Sequence, residues 1–144
     1  MDMAIRFNPA TAWPRQGRAF NHGVVAPDGR TLYVTGQVAW DKNGHLVGEG
    51  DGETQIRKCF DNVCQILAEA GGNLEDIVLL TIYFTDPADL PAIQAVRAEK
   101  ISADTAPASV LIQVPGLVSP ELRVELVPIA VVPLERFREP SGQS

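Results

Sequence analysis

A chain of 144 residues, 45% hydrophobic and 21% charged, has the size and make-up of one globular domain that buries a core without disulfides or metals. Its net charge of −6 at pH 7 offers phosphate backbones no general attraction, which weighs against nucleic acid as the main partner. No apolar run approaches the roughly 18 residues of a membrane span, and MDMAIRFNPATAWPRQ lacks the basic region and apolar run of a secretory leader, so a cytoplasmic location is expected.

Residues 1–21 are irregular, broken by Pro9, Pro14 and Gly17, with a short edge strand at AIRF (4–7). GVVAPDGRTLYVTGQV (23–38) reads as a hairpin turning at Pro27, Asp28 and Gly29. DKNGHLVGEGDGE (41–53) is a polar loop whose glycines serve turns, because no phosphate-cradling motif surrounds them.

Residues 54–70 carry Ile56, Phe60, Val63, Ile66, Leu67 and Ala70 at helical spacing, with Asp51 or Thr54 as cap and Gly71–Gly72 as stop. Cys59 and Cys64 lie five apart in this helix and point about 140° away from each other, so they do not bridge. Both read as core filler in a reducing compartment. His22 and His45 have no cysteine or histidine cluster beside them, so no metal site is expected.

DIVLLTIYFTD (76–86) is a strand apolar on both parities, which calls for burial on both faces. A second helix follows at about 88–101, with Asp86 or Asp89 as cap and a proline in its first turn. Two more strands are expected at 107–114 and 121–132, with Pro128 suggesting an edge or a bulge. The polar tail, 133–144, is expected to fray. Two helices cover only one face of such a sheet. The other face would stand in water in a lone subunit, so a symmetric, closed oligomer is expected, with ligand clefts between subunits.

The segments VTGQVAWDKNGHLV, QIRKCFDNVCQILAEAGGNLEDIVLLTIYFTD, the AP-A at 106–108 and VELVPIA at 124–130 together resemble the Rid (YjgF, reactive-intermediate deaminase) family, over about residues 19–132. The resemblance implies a single domain over residues 1–144 with a chorismate-mutase-like α+β fold, a single mixed sheet with two helices packed on one face. It also implies a homotrimer with three intersubunit clefts. In its best-studied branch the family hydrolyses enamines and imines to 2-keto acids and ammonia without a cofactor. An arginine in a Pro-Ala-Arg-Ser motif holds the substrate carboxylate there.

Here the motif is Pro107-Ala108-Ser109-Val110, so Ser109 stands where that arginine would be, and Leu111 where a cysteine is frequent. Phe20 takes the place of a pocket tyrosine; Gln94 and Arg97 fall near a family asparagine and tyrosine. Glu125 matches the water-positioning glutamate and Gly36 the backbone donor, so Glu125 is the catalytic candidate and Gly36, Ser109, Leu111, Phe20, Gln94 and Arg97 are the substrate-binding ones.

Losing two charge-assisted bonds of roughly 1.5–3 kcal/mol each would weaken binding of a 2-imino acid about 10²–10³-fold. Arg18, Arg97 and His22 are candidate substitutes, although the arginines by themselves read as solvated surface charges and His22 as a hydrogen-bonded imidazole. Ser109 has no Gly-x-Ser-x-Gly elbow and reads as a small polar filler rather than a nucleophile. Trp40 reads as a packing residue.

The expected activity is hydrolysis of a C=N bond in an enamine or imine other than the usual small 2-imino acids, with no cofactor. A non-catalytic trimer that binds a small metabolite is the alternative. A ribonuclease-type activity is weaker still, for want of a basic, aromatic-laced stripe.

Overall fold

The computed structural model describes residues 3–142. Six strands and two helices follow in order: β1 Ile5–Phe7, β2 Gly23–Val25, β3 Gly29–Tyr33, α1 Gly52–Glu69, β4 Ile77–Phe84, α2 Leu90–Lys100, β5 Ala108–Gln113 and β6 Val124–Pro133. The main sheet runs β3-β6-β4-β5, antiparallel except for the parallel β4–β5 pair. Both helices pack on one face, giving the α+β arrangement expected.

Helix α1 starts where the Asp51 carboxylate accepts from Thr54 N at 3.1 Å and ends before Gly71, whose φ of +80° suits the left-handed turn that closes a helix. Its inward stripe, Ile56, Cys59, Phe60, Val63 and Leu67, is fully buried. Each large apolar side chain on that stripe contributes roughly 1.5–3 kcal/mol over exposure. Cys64 departs from expectation: it is exposed, because five residues of helix rotate it off the stripe that holds Cys59.

Strand alternation divides the sheet sharply. Leu80, Ile82 and Phe84 of β4 face the helices, in register with Ser109 and Leu111 of β5 and with Leu126 and Val124 of β6. Leu79, Thr81 and Tyr83 face the other way, beside Val110, Ile112, Glu125, Val127 and Ile129. No helix covers that second face. Tyr33 is 77% exposed on it and Val110 43%.

Three local expectations fail in whole or in part. The 23–38 segment is not a hairpin: β2 pairs with β1 and β3 pairs with β6. Three residues of β2 make too little ladder to hold β3, while the long β6 offers β3 five register positions. Pro128 is not on an edge strand, since β6 lies between β3 and β4. The bulge it suggested is present: the chain runs from Tyr33, opposite Ile129, to Gln37, opposite Leu126, with one residue to spare. The Pro128 carbonyl accepts from Val34 N, so its missing N–H faces the β3 side, where the chain leaves the ladder. The tail does not fray at once. Arg138 N donates to Ala70 O and its guanidinium to Ala68 O, while Arg136 reaches Gly71 O and the buried Asp76 carboxylate. The last carbonyls of α1 and a buried carboxylate both need donors, and the tail supplies them.

Candidate active site

The sequence candidates fall into two groups, one on each side of the sheet. The first is a cavity of about 190 Å³ on the helix side, beside edge strand β5, lined by Trp13, Arg18, Phe20, Arg97, Ser109 and Leu111. Four of the candidates, Phe20, Arg97, Ser109 and Leu111, therefore meet. Gln94 is half-buried one turn before Arg97 and does not line this cavity.

The cavity wall is pinned. Asn21 is buried, and its amide nitrogen donates to Ala103 O at 3.0 Å and Ala106 O at 2.8 Å. Its amide oxygen accepts from Asn8 and Arg15, and its backbone N–H donates to Pro107 O. This knot ties the 13–22 segment to the start of β5. Trp13, Phe20 and His22 then cluster, with ring centroids 4.4–5.5 Å apart. The His22 ring donates to Trp13 O at 2.8 Å, so it braces the wall rather than entering the cavity.

Arg97 overturns the surface-charge reading. It is 2% exposed, and its Nη1 donates to Ser109 Oγ at 3.0 Å. Its Nε is buried without a partner, and no carboxylate pairs with it among the described residues. Burial, then the charge of Arg18, pulls its pKa below the ordinary arginine value, yet a guanidinium stays charged in a protein. Arg18 is half-buried, its Cζ 5.7 Å from the Trp13 ring centroid and 5.6 Å from that of Phe20. A tight turn presents it. Gln16 and Gly17 both hold positive φ, 55° and 76°, and Arg18 N closes the turn on Arg15 O. The left-handed conformation at Gln16 is uncommon for a side-chain-bearing residue.

The second group is Gly36 and Glu125, at the open face. After Tyr33 the chain leaves β6 and returns at Gln37, which exchanges backbone hydrogen bonds with Leu126 at 2.8 and 2.9 Å. Gly36 sits in that detour against the Glu125 carboxylate. A Cβ at position 36 would lie 2.0 Å from Glu125 Oε2, so glycine is needed for room; its φ is not left-handed. The Gly36 N–H and the Glu125 carboxylate take no hydrogen-bond partner among the described residues. Asn62 of α1 fixes the next stretch, donating to Val38 O and Trp40 O at 3.0 Å each. A cleft of about 580 Å³ opens beside Gly36, lined by Gln37, Trp40, Lys58 and Asn62 among others. Trp40, read as packing, is half-buried on its rim.

Cys59 lies beneath this corner, with its thiol pushed up to about 12 by burial, Glu125 adding to the effect. It stays a neutral thiol and takes no part in chemistry.

A family model described as endoribonuclease L-PSP matches residues 11–132. The chain belongs to this family, the Rid (YjgF) family of the resemblance. It is 38% identical over 101 residues, 70% of this chain and 79% of the relative, to the 3-aminoacrylate deaminase RutC of Acinetobacter baylyi. The crystal structure of the Rid-family protein YyfB of Yersinia pestis superposes with a TM-score of 0.83 at 37% identity, covering 90% of this chain and 99% of that one. RidA of an Antarctic Psychrobacter species gives 0.66 at 26% identity, covering 88% and 94%.

Within this single Rid chain, the two groups do not form one site. Ser109 lies on the helix face of the sheet and Glu125 on the open face. Sequence reasoning missed Trp13 and the knot at Asn21. The spacing of Trp13, Phe20 and His22 holds a signal for the aromatic cluster, whereas the contacts of Asn21 span 82 and 85 residues and leave no local trace.

Proposed function

We propose that this Rid chain hydrolyses the C=N bond of an enamine or imine and releases ammonia, at a site completed where copies of the chain meet. The observation that carries the reading is the Gly36–Glu125 contact: a carboxylate and a backbone N–H, both without protein partners, held together at the rim of an uncovered sheet face. The naming of RutC as a 3-aminoacrylate deaminase supports the same class of chemistry.

In the mechanism, an enamine first takes a proton on carbon and gives one up from nitrogen, leaving its imine. Glu125 orients a water and accepts its proton as the oxygen bonds to the imine carbon. The Gly36 N–H steadies the added oxygen. Glu125 passes the water's proton to the imine nitrogen, giving a carbinolamine, and then carries the hydroxyl proton to the same nitrogen as the C–N bond breaks and ammonia leaves a carbonyl product. Three copies joined through the open face would set the Glu125 corner of one subunit against the Arg97–Ser109 cavity of the next. Ser109 in the motif position supports a substrate other than the usual small 2-imino acids. The ribonuclease reading has less support: Arg57, Arg123 and Arg136 are each paired with carboxylates rather than arrayed as a basic stripe.

The test is ammonia release from 2-aminoacrylate generated in situ and from 3-aminoacrylate, beside further imines. Release above the buffer rate is expected from an imine other than that of 2-aminoacrylate, which stands for the usual small 2-imino acids, and it should fall at least about 100-fold in Glu125→Gln with oligomer size unchanged. Full activity in Glu125→Gln sinks the mechanism. Saturable binding of small carboxylates with no release from any imine replaces it with the metabolite-binding reading.

A further inference from the structure

We propose that the cleft between α1 and residues 35–42 is a binding site for a purine nucleoside monophosphate. Trp40 stacks on the base, Lys42 and Lys58 hold the phosphate, and Asn62 and Gln65 meet the edge of the base. This cleft is separate from the cavity beside β5, and its occupancy does not depend on the hydrolase reading.

Three observations carry it. The first is unspent charge. Lys58 is half-buried on α1 and Lys42 lines the same cleft, and no carboxylate lies within ion-pair distance of either among the described residues. The preceding residue of the helix behaves otherwise, since Arg57 is met by both Glu53 and Glu99. Asp41 is the acidic residue of the lining, but its Oδ1 accepts from the backbone N–H groups of Asn43 and His45. Those two bonds are what chiefly lower its pKa, and Lys58 contributes least. Glu125 touches Gly36 from the open face of the sheet and does not line the cleft. With Asp41 and Glu125 both counted, the neighbourhood is neutral. The ligand is therefore held by direct pairing with two ammonium groups rather than by a general field.

The second observation is a ring already set in place. The Trp40 N–H donates to Val38 O at 2.8 Å, its carbonyl accepts from Asn62 at 3.0 Å, and it bridges to Leu46 across the polar loop. A half-buried indole on so fixed a backbone offers a stacking face that needs little further ordering. The third is a pair of unused amides. Both bonds from Asn62 Nδ2 end on carbonyl oxygens, which settles the orientation of its amide and leaves Oδ1 as an acceptor with no partner among the described residues. Gln65 stands exposed three residues on, on the same side of α1. Asn62 Oδ1 accepts from the exocyclic amino group of adenine, and the Gln65 amide meets the neighbouring ring nitrogen.

The choice of phosphate follows from the cations. Lysine lacks the planar fork that matches a carboxylate, whereas two separate ammonium groups can share the three oxygens of a phosphate monoester. A volume of about 580 Å³ is ample for a ring and its phosphate and wasteful for a small acid.

The chain has two tryptophans, so Trp13→Phe leaves Trp40 as its sole indole. The test titrates that variant with adenosine 5′-monophosphate (AMP), adenosine and ribose 5-phosphate, reading the quenching of its fluorescence, with calorimetry on the unmutated protein beside it. Saturable quenching by AMP is expected, with AMP bound at least about tenfold more tightly than either fragment. Lys58→Met should weaken AMP at least about tenfold and leave adenosine unchanged. Arg97→Met should leave AMP binding as it is, which separates this cleft from the cavity beside β5. No saturable binding of AMP, equal affinity for AMP and ribose 5-phosphate, or full AMP affinity in Lys58→Met overturns the proposal. So does loss of AMP binding in Arg97→Met, or calorimetric binding that leaves Trp40 fluorescence unmoved. AMP binding without ammonia release from any imine leaves this site standing and sinks the hydrolase reading alone.

Discussion

On the helix side of the sheet, Leu80, Ile82 and Leu126 are sealed at 0% exposure beneath α1 and α2. On the other side, Tyr33 and Val110 stand in water and Glu125 sits among Tyr83, Val127 and Ile129 with no layer above it. Yet the sealed side holds the unpaired Arg97, and the open side holds the unpaired Glu125. Each face thus carries a charge with no opposite partner among the described residues. The lesson is that a subunit's core and its functional groups need not be segregated: the helix layer secures the fold, and the same layer displays a cation.

Changes on the sealed face should be costly in stability. Phe60→Ala removes the largest aromatic of the α1 stripe and should cost about 3–5 kcal/mol in denaturant unfolding. A loss below about 1 kcal/mol would mean that the helix layer matters far less than its burial implies.

Cys59 sharpens the same contrast through pH. Burial raises its folded pKa to about 12, from 9.0 for a free thiol. The unfolded chain releases this proton first, so the contribution of Cys59 is intact below about pH 9 and declines as pH rises towards 12. The decline is at most about 4 kcal/mol over that window. Comparing alkaline unfolding of the wild type with Cys59→Ala isolates it: the stability gap should narrow or reverse above pH 9. A gap that stays constant across the window contradicts the burial account.

The open face should behave in the opposite way. Tyr33→Asp with Val110→Asp should change the stability of an isolated subunit by less than about 1 kcal/mol, as surface changes do. It should nevertheless convert the proposed oligomer to single chains, as read by light scattering. If the wild type is already a single subunit at micromolar concentration, this face is free and the two-subunit site is wrong. The smallest stability effect is expected for Gly36→Ala. The added methyl meets the mobile end of Glu125 rather than backbone, so the fold should keep its stability to within about 1 kcal/mol. Ammonia release should drop about 10–100-fold as the carboxylate is pushed aside. Unchanged turnover would separate Gly36 from the chemistry.

Much of this contrast was legible in the residues. The alternation of Leu79, Thr81 and Tyr83 with Leu80, Ile82 and Phe84 announced two apolar faces, and the periodicity from Ile56 to Leu67 announced the layer that covers one. Strand partners were not legible, because pairing of β3 with β6 rather than β2 follows from the longer ladder that a distant strand offers and not from local pattern. Arg97 was misread although a signal existed: it stands four residues after Ile93 and four before Ile101, both buried, on the inward stripe of α2. A charged residue on such a stripe is easily assigned to solvent by its type. Separation of Ser109 and Glu125 onto opposite faces needed the register itself, since one residue of slip reverses it.

Pro128 has a consequence of a different kind. Because it offers no hydrogen towards β3, the chain between the Val34 N–H, which still donates to Pro128 O, and Gln37 leaves the ladder. That stretch is where the backbone meets Glu125. Lengthening or shortening it by one residue would re-aim the backbone amide at the carboxylate while leaving every other rung of the sheet in place. The fold thus contains an adjustable joint at the Gly36–Glu125 corner, where the proposed chemistry would feel it.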